Sequence, residues 1–187
     1  LYSHYPKANA NALMNVLGTH DTERILTVLG GEDGSKYTNK QLSTKKMSSE
    51  ERKKAISLLK LAYSINATVP GVPCIYYGDE AGQEGYRDPF NRRPFPWGRE
   101  NTELLDYFRK IGKIRRKEKI FETGDFSLVE CNEKLLAFAR YDKTSFVLTI
   151  VNRGTETAYF DSNLILKNIE TNRKISQIAP LSACILK

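Results

Sequence analysis

Cysteine is scarce: the 187 residues hold three, Cys74, Cys131 and Cys184, far apart in the chain. An odd number with no C-x-x-C spacing argues against a disulfide framework or a thiolate metal site. The neighbours of Cys74 and Cys184 make both read as small apolar core residues. Long apolar runs are missing as well. None approaches the ~18 residues that span a bilayer, so no membrane segment is expected. There is no internal repeat and no low-complexity tract. A hydrophobic fraction of 40% with 27% charged residues is ordinary for a globular chain and excludes a disordered or fibrous one. The opening Leu1-Tyr2-Ser3-His4-Tyr5-Pro6 lacks the charged start and apolar centre of a signal peptide. A chain that opens on Leu1 is expected to start inside something longer.

The net charge of +7 is unevenly spread. Residues 1–118 carry 20 basic and 14 acidic side chains, and residues 119–187 carry 9 and 8, a shift that suggests two parts. In the first part, residues 12–17 form a nearly continuous apolar run that suits a strand buried on both faces, as in a parallel sheet. Residues 30–49 are polar and glycine-rich and read as one long loop. Ser48 with Glu51 is a capping-box pattern that opens a helix running to about Val69, with Ala55, Leu58, Leu59, Ala62 and Ile65 as its apolar stripe. A second short strand is expected at residues 72–77, then an irregular segment at 81–100. A helix from about Asn101 carries Leu104, Leu105, Phe108, Ile111 and Ile114 on one face. Its cationic last turns suit the helix dipole and read as a solvated end. Strand, helix, strand, helix predicts a parallel sheet flanked by helices. Two such units cannot close a barrel or bury a parallel sheet alone.

After Lys119 the pattern changes. Segments 125–131, 134–141, 145–151 and 156–160, shorter ones near 164–166 and 172–178, and then 181–186 are rich in β-formers and punctuated by turn residues. Closely spaced strands of this kind predict an antiparallel sandwich. About 70 residues make a modest core, so this part should lean on a neighbour.

The chemistry-bearing residues sit after the two strands: His20-Asp21 behind the first, Gly78-Asp79-Glu80 behind the second. Ligands collect at the carboxyl ends of parallel strands. A carboxylate beside an imidazole can bind sugar hydroxyls, or stabilise positive charge developing on a substrate. From spacing alone a second reading stays open, in which Asp21 or Thr22 caps a helical turn. His-Asp adjacency lacks the spacing of a known metal-ligand set.

Three segments carry a family resemblance. Asn15-Val16-Leu17-Gly18-Thr19-His20-Asp21-Thr22-Glu23-Arg24 is similar to the fourth conserved segment of the α-amylase family of glycoside hydrolases. Residues 70–80, Pro-Gly-Val-Pro-Cys-Ile-Tyr-Tyr-Gly-Asp-Glu, resemble its eighth-strand motif. Asp88-Pro89-Phe90-Asn91-Arg92-Arg93-Pro94-Phe95-Pro96-Trp97 resembles the following loop of neopullulanases, cyclomaltodextrinases and maltogenic amylases. The resemblance implies an α/β plus all-β chain: residues 1–118 as the last two βα units of a (β/α)8 barrel, and residues 119–187 as a C-terminal β-sandwich. It implies retaining cleavage of α-1,4, and of α-1,6, glucosidic bonds in maltodextrin, cyclodextrin or pullulan. Such cleavage needs two carboxyls, and the family's nucleophile and acid/base precede the fourth segment, outside this chain. Asp21 takes the role of the third carboxylate, the transition-state stabiliser; His20, Asp88 and Arg92 bind substrate. The chain alone is then expected to be inactive. Glu80 is expected to fix loop cations, and Trp97 to pack or to stack on a sugar. Tyr76 and Tyr77 alternate faces, so one of the two at most is expected to point inward.

No cofactor or metal is implied. The partners expected are α-glucan oligosaccharides, with neither nucleic acid nor membrane, and with self-association through open barrel edges as a possibility. The resemblance favours the cytoplasm, with which free cysteines agree. A non-catalytic polysaccharide-binding or assembly module is the alternative, resting on Tyr141, Phe146, Tyr159 and Phe160 in the sheet-rich part.

Overall fold

The computed structural model describes residues 4–160 and 165–187. A short helix α1 (Lys7–Ala12) leads into strand β1 (Met14–Val16). A turn of irregular backbone follows, then α2 (Ile25–Gly30), a 3₁₀ turn at Gly34–Lys36 and the short α3 (Asn39–Leu42). The long helix α4 (Ser49–Thr68) carries the chain to β2 (Val72–Cys74). β2 lies parallel to β1, with Met14 opposite Val72 and Val16 opposite Cys74. Parallel pairing puts the loop after β1 and the loop after β2 at one end, which is what positions the site.

The helix starts are written in local chemistry. Ser48 Oγ accepts the N–H of Glu51 at 3.2 Å, and Glu51 Oε2 accepts the N–H of Ser48 at 2.7 Å. The next helix, α5 (Thr102–Lys117), opens on Asn101, whose Oδ1 accepts the Leu104 N–H at 2.8 Å. Thr38 and Gln41 form a second capping box, at the start of α3. The expected loop at 30–49 therefore contains helical turns; the Thr38-x-x-Gln41 pattern was the signal for them. The first strand is shorter than its apolar run. Asn66 Nδ2 donates to Asn15 O and Asn15 Nδ2 to Pro70 O, both at 2.9 Å, which fixes β1 against the end of α4. Nor is the strand pair buried on both faces: Met14 is 68% exposed, and Val16 and Val72 are about half exposed. Among the described residues nothing covers that face.

Beyond α5 a single turn, α6 (Ile120–Thr123), precedes an antiparallel sheet in the order β3 (Asp125–Cys131), β4 (Leu135–Tyr141), β5 (Phe146–Asn152), β8 (Ser182–Leu186). A two-stranded ladder, β6 (Ala158–Tyr159) with β7 (Gln177–Ile178), adds a small second layer. The β-rich pattern thus gives an antiparallel sheet, though the second layer is far shorter than the segments at 156–160 and 172–178 suggested. The segment near 164–166 begins outside the described residues.

β5 is buried along almost its whole length because both of its faces are covered. Val147 and, on β8, Ile185 join the core formed by Leu26, Leu59, Tyr63, Leu104, Phe108 and Ile111. Leu148 and Ile150 join Leu135, Ile178 and Leu186 on the other side. Alternate residues on a strand reach opposite faces. The sheet therefore leans on α4 and α5. This explains why the last half of α4 is buried more widely than its sequence stripe indicated, with Tyr63, Ser64, Asn66 and Ala67 all inside. Arg115, in the cationic end of α5, is not a solvated charge either. Its Nη1 and Nη2 donate to Ala67 O and Gly71 O at 2.6 and 2.5 Å, and burial pulls its pKa down.

Candidate functional site

The loop after β1 turns at Thr19–Thr22, where the Thr19 N–H donates to Thr22 Oγ1 at 3.0 Å and the Asp21 N–H to Thr19 Oγ1 at 3.2 Å. The side chains of His20 and Asp21 are left open to solvent. Helix α2 starts at Arg24 without any side-chain cap, so neither Asp21 nor Thr22 is spent on capping it.

The loop after β2 reaches the same place. Arg92 Nε lies 2.6 Å from Asp88 Oδ1, Arg92 Nη2 lies 3.5 Å from Asp21 Oδ1, and His20 Nε2 lies 3.2 Å from the same Asp21 oxygen. The four residues singled out by the sequence, His20, Asp21, Asp88 and Arg92, thus form one chain of contacts. All four side chains are 46% or more exposed. Ion pairs this open contribute about 0–1 kcal/mol each to stability. They can be exchanged at small cost for hydrogen bonds to an incoming polyhydroxyl ligand.

What holds this cluster is buried beneath it; of these residues the sequence had marked Asp79, Tyr76 and Tyr77, but not for this task, and it had not marked Asn91 or Arg24 as supports. Asn91 is fully buried on the 3₁₀ turn Phe90–Arg92. Its Nδ2 donates to His20 O at 2.7 Å and to Thr22 O at 2.8 Å, so it grips the loop on both sides of Asp21. The Arg24 N–H donates to Gly85 O, and the Gly85 N–H to Thr27 Oγ1, both at 2.9 Å. Arg24 is 1% exposed. Its Nη1 donates to Tyr77 O and, at 3.2 Å, to Asp79 Oδ1. Its guanidinium lies over the rings of Tyr76 and Tyr77, 4.2 and 4.6 Å from their centroids. Both tyrosines therefore serve the same cation; they lie past the end of β2, so strand alternation does not separate them. Burial pushes the Asp79 carboxyl up to about 6, against the lowering effect of Arg24. Gly18 lies close beside it: a Cβ there would stand 2.8 Å from Asp79 Oδ2, so one of the two would have to shift. Among the described residues Glu80 pairs with no cation; Asp79 pairs with Arg24 and Glu84 with Arg52.

Arg87 ties in the third loop. Its guanidinium donates to Gly34 O and Tyr37 O at 2.9 Å, and its backbone N–H to Glu23 Oε1 at 3.2 Å. Buried Asn91 and Arg24 and half-buried Arg87 carry no periodicity, which is why sequence pattern passed over them. The one hint was their crowding into the same short segments as His20, Asp21 and Arg92. Among the described residues no three His, Cys, Asp or Glu side chains gather as a metal ion would need, and no helix is long and apolar enough to cross a membrane.

The family model for the catalytic domain of α-amylase matches residues 2–124. The chain belongs to the α-amylase family. An amylopullulanase from Thermoanaerobacter thermohydrosulfuricus is 43% identical over 165 residues, covering 82% of this chain and 11% of that protein. A cyclomaltodextrinase from Geobacillus thermopakistaniensis is 31% identical over 158 residues, covering 82% of this chain and 23% of that protein. Among solved structures of the family, the maltogenic amylase from S. marinus superposes with a TM-score of 0.74 at 27% identity, over 99% of this chain and 24% of that one. The chain thus spans between a tenth and a quarter of the length of these relatives. These named relatives are α-glucan-active enzymes of a glycoside hydrolase family, and the cluster lies within the matched segment.

Proposed function

We propose that this chain supplies the sugar-gripping side of a retaining α-glucan hydrolase. In this reading residues 1–118 are the last two βα units of a (β/α)8 barrel and residues 119–187 are the C-terminal β domain. The supporting observation is the joining of two loops at one end of a parallel strand pair, with His20, Asp21, Arg92 and Asp88 in contact and open to solvent. Asp21 takes two hydroxyls of the distorted sugar at the reacting centre, and holds them more tightly in the transition state than in the ground state. His20 donates to the same sugar. Asp88 and Arg92 hold glucose units further along. The nucleophile and the acid/base come from other polypeptide of the same enzyme, so the bond-breaking step has neither its covalent route nor its proton donor in this chain.

The substrates are maltodextrin, cyclodextrin or pullulan, cut at α-1,4 bonds and in some at α-1,6 bonds, and the enzyme works in the cytoplasm. The bare face of Met14, Val16 and Val72 is the inward face of the barrel, and two copies of the isolated chain would associate through it. The test is direct. The purified chain, incubated with β-cyclodextrin, pullulan and soluble starch, releases no reducing sugar above a protein-free blank. Turnover that scales with chain concentration would overturn the assignment of both bond-breaking carboxyls to other polypeptide.

A further inference from the structure

Asp21 and Arg92 come from different loops, and the ion pairs around them are too open to hold their own geometry. Their spacing is set by the backbone beneath. One pin is Asn91, between His20 O and Thr22 O. The second is Arg87, the residue before Asp88. Its N–H donates to Glu23 Oε1 at 3.2 Å. Its carbonyl accepts the Phe90 N–H at 2.9 Å, which opens the 3₁₀ turn that carries Arg92. Asp88 and Arg92 thus lie on a turn that Arg87 and Asn91 tie to residues 20–23, the stretch that carries Asp21.

The Arg87 guanidinium has a separate task. All of its nitrogens donate into residues 34–39: Nη1 to Gly34 O, Nη2 to Tyr37 O and Asn39 Oδ1, each at 2.9 Å, and Nε to Asn39 Oδ1 at 3.2 Å. A rigid planar fork reaches acceptors spread in this way, and a compact ammonium does not. The segment it seats lies against the first bond. A Cβ on Gly34 would stand 2.7 Å from Glu23 Oε1 and 2.7 Å from Tyr86 Cδ1, and Tyr86 is buried. With residues 34–39 in place the Glu23 carboxylate is shielded, and shielding strengthens the hydrogen bond that it accepts.

We propose that Arg87 is a positioning residue, which through Glu23 and the 34–39 segment fixes the spacing between Asp21 and the Asp88–Arg92 pair. It touches no substrate. The proposal rests on the reading in which that pair holds glucose units further along from the sugar at Asp21. A misplacement of about 1 Å in such a constellation costs about a hundredfold in rate.

NMR of the whole chain without sugar gives the test. Arg87→Met speeds amide exchange at Phe90 and Arg92 by about tenfold or more. It also moves the Arg92 Nε–H signal toward its position in Asp88→Asn, where the pair is gone. Arg87→Lys keeps the charge without the fork and restores only part of either change. Asn39→Ala removes two of the guanidinium's bonds from the far side and moves both signals the same way. It decides the matter alone should Arg87→Met fail to fold. Ile150→Val, in the core of the sheet, lowers the urea midpoint and leaves both signals in place. Two results overturn the proposal: an Arg92 Nε–H signal that stays put in Arg87→Met and Asn39→Ala, or exchange at residues 90 and 92 that only follows the urea midpoint, whichever residue is changed. No readout involves a sugar, so either failure leaves the α-glucan reading untouched.

Discussion

Replacing Arg24 by methionine tests the frame beneath the site most sharply. The guanidinium is buried, paired with Asp79 at 3.2 Å, donates to the Tyr77 carbonyl and lies over two tyrosine rings. Removing one partner of a buried pair costs about 3–5 kcal/mol, because the other charge stays behind without compensation. Asp79 has some escape, since its carboxyl already titrates at about 6 and takes up a proton once Arg24 is gone. The opposite single change, Asp79→Leu, gives no such relief, because a guanidinium stays charged; it should cost at least as much as Arg24→Met. The double variant Arg24→Met/Asp79→Leu removes both charges together and should lie within about 1–2 kcal/mol of the parent, as buried pairs replaced by apolar residues often do. Urea denaturation of the four proteins, followed by far-UV circular dichroism, closes the cycle. A total stability of about 5–15 kcal/mol leaves room to measure each loss. Two results would refute the reasoning: a single variant that loses under about 1 kcal/mol, or a double variant that loses the sum of the two singles.

The same pair sets a pH dependence. Asp79 titrates at about 6 in the fold and at its ordinary 3.8 when unfolded, so the native state holds the proton more tightly. Its contribution to stability therefore grows as pH falls from above 6 to below 3.8, by about 3 kcal/mol. Urea midpoints of the parent should gain on those of Asp79→Asn between pH 7 and pH 4; parallel curves would contradict this. Asn91→Asp puts an acceptor where Nδ2 meets two carbonyls at 2.7 and 2.8 Å. It should cost about 1–3 kcal/mol and speed amide exchange at residues 20–22, and unchanged exchange there would argue against the grip.

Much of the architecture was legible because it rests on local chemistry. The Ser48/Glu51 box, the Asn101 cap and the apolar positions Leu104, Phe108, Ile111 and Ile114 all lie in the sequence as patterns with a known spacing. The strands at 125–131 and 181–186 were marked by turn residues in the same way. Where pattern failed, burial had been decided by distant parts of the chain. The run at residues 12–17 is apolar as though sealed on both sides, yet only Met14–Val16 pairs, and one face stands bare. Residues 145–151 do not alternate because helices cover one face and β6–β7 the other. At the site, the residues that face solvent and those that aim them share the same three segments, but nothing in those segments marks the aiming task of the buried ones. Asn91 and Arg24 act through backbone carbonyls 53 to 71 positions away, and no local signal encodes such a distance.

The role of Asp21 is tested most directly by catalysis in a complete barrel. This chain replaces the matching C-terminal segment of the Geobacillus thermopakistaniensis cyclomaltodextrinase, and kcat and KM on β-cyclodextrin are measured with Asp21 and with Asp21→Asn. A hydroxyl grip that tightens in the transition state predicts that kcat falls by about a hundredfold or more while KM moves little. Equal kcat in the two proteins would contradict it.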